Sequence, residues 1–263
     1  RPYVAYTDVA NSNKATVMKY EGGVWQVVGL IRRQRQMCIR DRLYIYNGIP
    51  YVAYSDGANS NKATVMKYEG GVWQTVGTAG FSAGSISNPS LDVYNGIPYV
   101  AYGDGANSFK ATVMKYEGGV WQTVGTAGFS AGSAGYTSLY IYNGIPYVAY
   151  TDVANSNKAT VMKYEGGVWQ VVGNAGFSAG RADYISLYVY NGIPYVAYSY
   201  SDVANSYKAT VMKYEGGVWQ VVGNAGFSAG SAYYTSLYVY NGIPYVAYSD
   251  DANSYKATVM KYE

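Results

Sequence analysis

Carboxylate and amide side chains recur three residues apart throughout this chain. The motif Asp-x-Ala-Asn-Ser supplies Asp8 and Asn11, Asp56 and Asn59, Asp104 and Asn107, Asp152 and Asn155, and Asp202 and Asn205. The last copy holds Asp250, Asp251 and Asn253. Two chemistries suit such a set. Carboxylate and amide oxygens can hold a hard cation or sugar hydroxyls. The same groups bond nearby backbone N–H and tolerate left-handed backbone, so they also build turns. The spacing departs from a calcium-binding EF-hand loop, which needs Gly at its sharp turn and a closing Glu. A second candidate set is aromatic. Tyr136, Tyr184 (beside Asp183) and the pair Tyr233-Tyr234 stand where the copies differ most, with Asn88-Pro89 in another copy. A third is Trp25, Trp73, Trp121, Trp169 and Trp219. These read as packing between repeats or, with one ring face open, as a sugar platform.

Composition removes several function classes. The 263 residues contain no His. That excludes Ser-His-Asp and Cys-His catalysis and His-based metal sites. The single Cys, Cys38, excludes a disulfide framework and leaves the redox compartment open. No catalytic residue, cofactor or metal is expected. The net charge of +3 is concentrated: Arg32, Arg33, Arg35, Arg40 and Arg42 crowd into 30–42 beside Asp41. The rest of the chain is close to neutral, so nucleic acid is not an expected partner. No run of about 18 apolar residues occurs, so no membrane insertion is expected.

The elements that position these residues follow from a repeat. Prolines 2, 50, 98, 146, 194 and 244 recur at intervals of 48, 48, 48, 48 and 50 residues. A fixed period of that size marks a repeat architecture. In the copy 126–173, Leu139–Tyr142 is short, branched and aromatic, a strand. Asn143-Gly144 is the strongest two-residue hairpin signal. Ile145–Thr151 is the second strand, with Pro146 at its start, where a missing N–H matters least. After the Asp/Asn loop, Lys158–Glu165 is the third strand, Gly166-Gly167 a turn, and Val168–Val172 the fourth strand. Both faces are apolar, so each sheet is expected to be covered on both sides. The glycine-rich stretch from Gly125 to Ser138 reads as the crossing to the next sheet, with its Phe anchored in the core.

Four antiparallel strands per unit and one long link specify an all-β fold, a β-propeller of four-stranded antiparallel blades. The expectation is one domain, 1–263, with repeat units about 1–29, 30–77, 78–125, 126–173, 174–223 and 224–263. That gives five to six blades with incomplete terminal blades, and a tally of 22 strands. An open propeller would leave unpaired edges, so the chain is expected to be part of a longer polypeptide. The insertion Ser199-Tyr200 keeps the inside–outside alternation and predicts a longer second strand or a bulge there. Leu30–Arg42 keeps the length of the crossing stretch but loses its Gly, Phe and Tyr. Residues 33–42 resemble translated adapter read-through from environmental sequencing, and no function is assigned to them.

The segments Pro50–Asp56, Ala63–Tyr68, Gly70–Gly77 and Ala79–Gly84 (Pro-Tyr-Val-Ala-Tyr-Ser-Asp, Ala-Thr-Val-Met-Lys-Tyr, Gly-Gly-Val-Trp-Gln-Thr-Val-Gly and Ala-Gly-Phe-Ser-Ala-Gly) resemble tandem propeller repeats of bacterial secreted or surface proteins. In period and in one Trp per blade the chain is loosely similar to tachylectin-type lectin propellers. It departs from Kelch and WD-repeat patterns. It also lacks the full aspartate box of sialidase-like propellers, since Ser55-Asp56-Gly57 is followed by no nearby Trp.

These readings converge on a non-enzymatic binding or adhesion propeller, extracellular or at a bacterial cell surface. Its expected partners are glycans or cell-surface polymers, held through Asp56, Asn59, Asp104, Asn107, Tyr136, Asp152, Asn155, Tyr184, Asp202, Asn205, Tyr233 and Tyr234 on one face. Near-identical blades suit repeated weak sites. The alternative is a structural spacer without ligand. An enzyme ranks third, because catalysis needs an acid and a base in unlike environments.

Overall fold

The computed structural model describes residues 3–8, 14–31, 42–201 and 207–263. Residues 33–41 of the adapter-like stretch, and with them Cys38, lie outside the described residues, as do Asn11, Asp202 and Asn205. The fold is an all-β propeller of mostly four-stranded antiparallel blades, and the described residues form 22 strands in six sheets. The chain divides into two compact units, Arg1–Ala127 and Gly128–Glu263.

In the first unit, β1 (Tyr3–Asp8), β2 (Lys14–Glu21) and β3 (Val24–Ile31) form a three-stranded sheet. The second sheet is β4 (Arg42–Tyr46), β5 (Ile49–Asp56), β6 (Lys62–Glu69) and β7 (Val72–Thr75). The third is β8 (Ile86–Tyr94), β9 (Ile97–Asp104), β10 (Lys110–Glu117) and β11 (Val120–Thr123). In the second unit, β12 (Ala134–Tyr142), β13 (Ile145–Asp152), β14 (Lys158–Glu165) and β15 (Val168–Val171) form one blade. The next blade is β16 (Arg181–Tyr190), β17 (Ile193–Ser201), β18 (Lys208–Glu215) and β19 (Val218–Val221). The last sheet is β20 (Ala232–Tyr240), β21 (Ile243–Asp250) and β22 (Lys256–Lys261).

The turns form where the sequence places them. Asn143 and Gly144 both have positive φ, 49° and 80°, as a type I′ hairpin requires. Gly166 and Gly167, at 61° and 84°, do the same between the third and fourth strands. One expectation needs correcting. The first strand starts at Ala134, not Leu139, and so absorbs part of the stretch read as a link. A bulge between Gly135 and Ser138 breaks its two-residue periodicity. The alternation that identifies a strand is therefore absent from its first half. The Ser199-Tyr200 insertion lengthens β17 to nine residues, against eight in β13. Tyr200 takes the register position that Asp152 holds, opposite Ala182 and Lys208.

Successive blades within each unit share their cores. In the second unit Tyr147, Ala149 and Val161 of one blade pack with Ile185, Leu187, Val189 and Tyr198 of the next. Tyr195, Ala197 and Val211 pack in turn with Leu237, Val239 and Tyr248. The blade β16–β19 is thus covered on both faces. In the first unit Tyr51, Val65 and Val76 pack with Leu91, Val93 and Tyr102. Among the first strands of the second unit, the Ser138 hydroxyl accepts from Leu187 N–H at 3.0 Å and the Ser186 hydroxyl from Leu237 N–H at 3.0 Å.

The links that follow β7, β15 and β19 are each tied down by one small network. Ser178 accepts from Ala159 N–H at 2.9 Å and donates to the Gly180 carbonyl at 2.7 Å. Phe177 N–H donates to the Ala159 carbonyl at 2.9 Å. The Phe177 ring then stacks on Trp219 of the following blade at 3.8 Å and 8°. Phe81 stacks on Trp121 and Phe129 on Trp169 in the same way, each at 3.9 Å. Indole Nε1 of Trp121 donates to the Val76 carbonyl and that of Trp219 to the Val172 carbonyl, both at 2.9 Å. Trp121, Trp169 and Trp219 are therefore packing elements between blades.

Trp73 differs from them. Its Nε1 is buried and, among the described residues, has no hydrogen-bond partner, and the sequence between 30 and 42 supplies no Phe to stack on it. Replacing residues 30–42 with the sequence of 224–236 should restore the stack and the indole acceptor. A stack contributes about 0.5–1.5 kcal/mol and a hydrogen bond about as much. The expected gain is about 1–3 kcal/mol in urea denaturation followed by tryptophan emission. No gain would mean that the native stretch supports this blade in another way.

Buried tyrosines set an alkaline limit on stability. Burial pushes the hydroxyls of Tyr102 and Tyr150 far above their ordinary range, and the charges of Asp104 and Asp152 add to the rise. The Tyr150 hydroxyl donates to the Met162 sulfur, a weak acceptor, at 3.3 Å. An unfolded tyrosine ionises near pH ~10. Groups raised in the folded state lend full stability below that pH and lose it as pH rises toward the folded value. Unfolding on alkaline titration should therefore begin above about pH 10, read by circular dichroism. Retention of the fold well beyond pH ~12 would contradict this.

Candidate functional site

The Asp/Asn loop and the bulge tyrosine meet at one end of the sheets β12–β15 and β20–β22. Ala134 pairs with Asp152 and Gly135 with Thr151, which sets Tyr136 beside the exit of the second strand. Val153 N–H donates to the Ser133 carbonyl at 3.1 Å, and Asp251 N–H to the Ser231 carbonyl at 3.2 Å. Gly132 lies against Ala154 so closely that a Cβ there would sit 2.9 Å from Ala154 N. The neighbouring blade closes the other side, where Ala182 N–H donates to the Asn157 carbonyl at 3.0 Å.

Within the loop the carboxylates turn inward. Asp152 is 1 % exposed. Its Oδ1 accepts from Ala154 N–H at 3.1 Å. Its Oδ2 accepts from Asn155 Nδ2 at 2.7 Å and from the Thr160 hydroxyl at 2.9 Å. The Thr160 oxygen in turn accepts from Gly176 N–H at 2.8 Å, fastening the outgoing link. Asp56 makes the same bonds with Ala58, Asn59 and Thr64, and Asp104 with Ala106, Asn107 and Thr112. Asp250 bonds Ala252 N–H and Thr258. The four aspartates cap a one-turn 3-10 segment and tie loop to third strand, and at Asp56 and Asp152 the tie reaches the outgoing link through Thr64 and Thr160. A ligand would have to displace those bonds to reach a carboxylate. Asn59, Asn107 and Asn155 are half-buried and lend their amides to the same knot.

The tyrosines are placed differently. Tyr136, Tyr184 and Tyr234 occupy the same bulge position in three successive blades, with φ of 48°, 52° and 56°. Left-handed backbone at a bulky residue is strained, by about 1–3 kcal/mol. Asn88 holds the same position in β8 at φ 46°, where Asn is well tolerated. The three rings form a ladder, Tyr136 to Tyr184 at 5.1 Å and Tyr184 to Tyr234 at 5.0 Å, both edge to face. Tyr233 joins it, 5.7 Å from Tyr184 and 6.0 Å from Tyr255 of the neighbouring loop. Tyr234 is 63 % exposed, and Tyr136 and Tyr184 are half-buried. Beside the ladder the Arg181 Nε donates to both oxygens of Asp183 at 3.0 and 2.9 Å. That pairing holds the guanidinium, half of it exposed, and raises its already high pKa, with Tyr136 and Tyr207 adding smaller contributions.

One set of rim aromatics escaped the sequence reading. Phe109, Tyr207 and Tyr255 follow the Asn-Ser of their loops with φ of 58°, 63° and 60°, and all three are exposed. Asn61 and Asn157 hold the same place in other copies. The available signal was their variability at a fixed position in an otherwise constant repeat. Among the described residues no three His, Cys, Asp or Glu side chains converge as a metal site.

No protein-family profile matches the chain, and no curated protein sequence does. Solved structures do. One is an exo-1,5-alpha-L-arabinanase from a bovine ruminal metagenomic library, at 12 % identity and a TM-score of 0.43, covering 84 % of this chain and 91 % of that one. Another is an alpha-L-arabinofuranosidase (CtGH43) from Clostridium thermocellum, at 18 % identity and a TM-score of 0.45, covering 86 % of this chain and 89 % of that one. The chain is similar to these propellers in structure, at low identity.

Proposed function

We propose that the protein is a non-enzymatic, extracellular carbohydrate-binding or adhesion propeller of bacterial surface type, with tyrosines at one blade end as its contact surface. The observation that carries this reading is the ladder Tyr136–Tyr184–Tyr234. Three strained tyrosines repeat at one bulge, where Asn88 shows that a less strained residue fits. Strain kept at equivalent positions is expected where function uses it. Ring faces suit the apolar faces of sugar rings, and phenol hydroxyls suit their hydroxyls. Equivalent sites a blade apart suit a polymer of repeating units and gain strength by avidity. The aspartates serve this surface by fixing the loops beside it.

Catalysis is a weaker reading, because the described loop aspartates share one environment and one set of partners, so none is set apart as acid or base. A screen of the protein against bacterial and plant glycans, read by tyrosine and tryptophan emission, tests the proposal. Saturable binding without product release on chromatography is the expected result. No binding to any glycan would favour the spacer, and released oligosaccharide would favour an enzyme.

A further inference from the structure

The blade β16–β19 carries a charged pair that its siblings lack. Arg181 stands where other copies have Ser85, Ser133 and Ser231, and Asp183 where they have Ser87, Gly135 and Tyr233. Outside residue 1 and residues 30–42, Arg181 is the only arginine of the chain. The same blade holds the Ser199-Tyr200 insertion, and the added length brings Arg181 into the strand. β16 begins at Arg181 and runs ten residues, against nine in β12 and β20. Arg181 pairs with Ser201 and Asp183 with Ser199.

Side chains two residues apart on a strand share a face. Arg181 and Asp183 meet in that way, and the arginine Nε donates to both carboxylate oxygens. Asp183 is buried, whereas half of the Arg181 side chain is exposed. The buried carboxylate thus fixes an exposed guanidinium while using little of its donor capacity. A guanidinium has five N–H donors in a rigid fork. Nε supplies one, and among the described residues the two terminal nitrogens meet no acceptor. Such a fork matches a carboxylate in a bidentate arrangement. The surroundings are aromatic. Arg181 stands three residues before Tyr184 in one strand. It lies within electrostatic reach of Tyr136, the first ring of the ladder, and of Tyr207, an exposed rim aromatic.

We infer, resting on the carbohydrate-binding reading above, that the ladder takes an acidic glycan and that Arg181 binds its uronate carboxylate. The terminal nitrogens hold the carboxylate, while Tyr136 and Tyr184 carry the ring faces of adjoining sugars. Asp183 fixes the guanidinium. Because the sibling blades lack the pair, the anionic unit sets where along the ladder the polymer sits.

The test titrates polygalacturonate, alginate and hyaluronan into the full chain, each intact and after carboxyl reduction, which leaves the same sugar framework without its charge. Binding is followed by calorimetry. At least one intact polymer should bind roughly tenfold more tightly than its reduced form. Arg181→Ser, which copies the sibling blades, should bring that ratio close to one. Arg181→Lys keeps the charge and loses the fork, so it should restore only part of the ratio. Arg181→Ser leaves Asp183 buried without its partner. The double variant with Asp183→Gly, which copies Ser133 and Gly135, keeps the test valid if the single variant does not fold. Equal affinity for intact and reduced polymers, or a ratio undiminished in Arg181→Ser or Arg181→Lys, would overturn the inference and leave the carbohydrate reading standing. So would binding of neutral glycans alone. Binding of no glycan of any kind would remove both.

Discussion

Asp152→Ala is expected to destabilise its blade by about 3–5 kcal/mol. The carboxylate is buried and serves three donors at once: Ala154 N–H, Asn155 Nδ2 and the Thr160 hydroxyl. A buried donor left without an acceptor costs about 1–3 kcal/mol. Water reaches the exposed loop backbone and recovers part of that loss, but not at Thr160, which is fully buried. Thr160 also holds Gly176, so the loss spreads to the link that carries Phe177. Asp152→Asn should cost less, about 2 kcal/mol, because one acceptor oxygen remains. Repeat proteins unfold through neighbouring units, so the change should appear first as faster hydrogen exchange in 152–182. A loss below about 1 kcal/mol would mean that the loop does not need the carboxylate. The aspartates would then regain standing as ligand contacts.

Trp219→Ala is the other large effect, about 3–5 kcal/mol. It removes the stack on Phe177, the contact with Tyr214 and the bond to the Val172 carbonyl. The damage is expected on both sides of the blade junction, since Phe177 belongs to the incoming link and Trp219 to the receiving blade. Phe177→Ala should reproduce most of it, and the double variant should cost less than the two losses added, because both remove one shared contact. Additive losses in urea denaturation would show that the two rings act separately. The sugar-platform reading of the tryptophans would then reopen.

The strands were legible because each is bounded by a turn with its own chemistry. Asn143-Gly144 and Gly166-Gly167 fix the hairpins, and Lys158–Glu165 forms as read. The bulge was hidden because Tyr136 at positive φ erases the alternation that marks a strand. The inward turn of Asp152 was hidden for a different reason. A carboxylate looks alike in a turn and in a ligand site, and Thr160, eight residues on, decides between them. The tyrosine ladder joins residues 48 and 50 positions apart. Sequence period shows that those positions are equivalent, but only blade packing brings their rings within 5 Å or so of each other.

The central claim is that the bulge tyrosines are kept for binding. The most direct test replaces Tyr136, Tyr184 and Tyr234 together by Asn, the residue already present at position 88. The expected triple variant is a folded protein at least as stable as the parent, because Asn tolerates left-handed backbone. Its glycan binding should be weakened tenfold or more, about 1.4 kcal/mol, in titration calorimetry with the best ligand from the screen. Unchanged affinity in a folded triple variant would contradict the account.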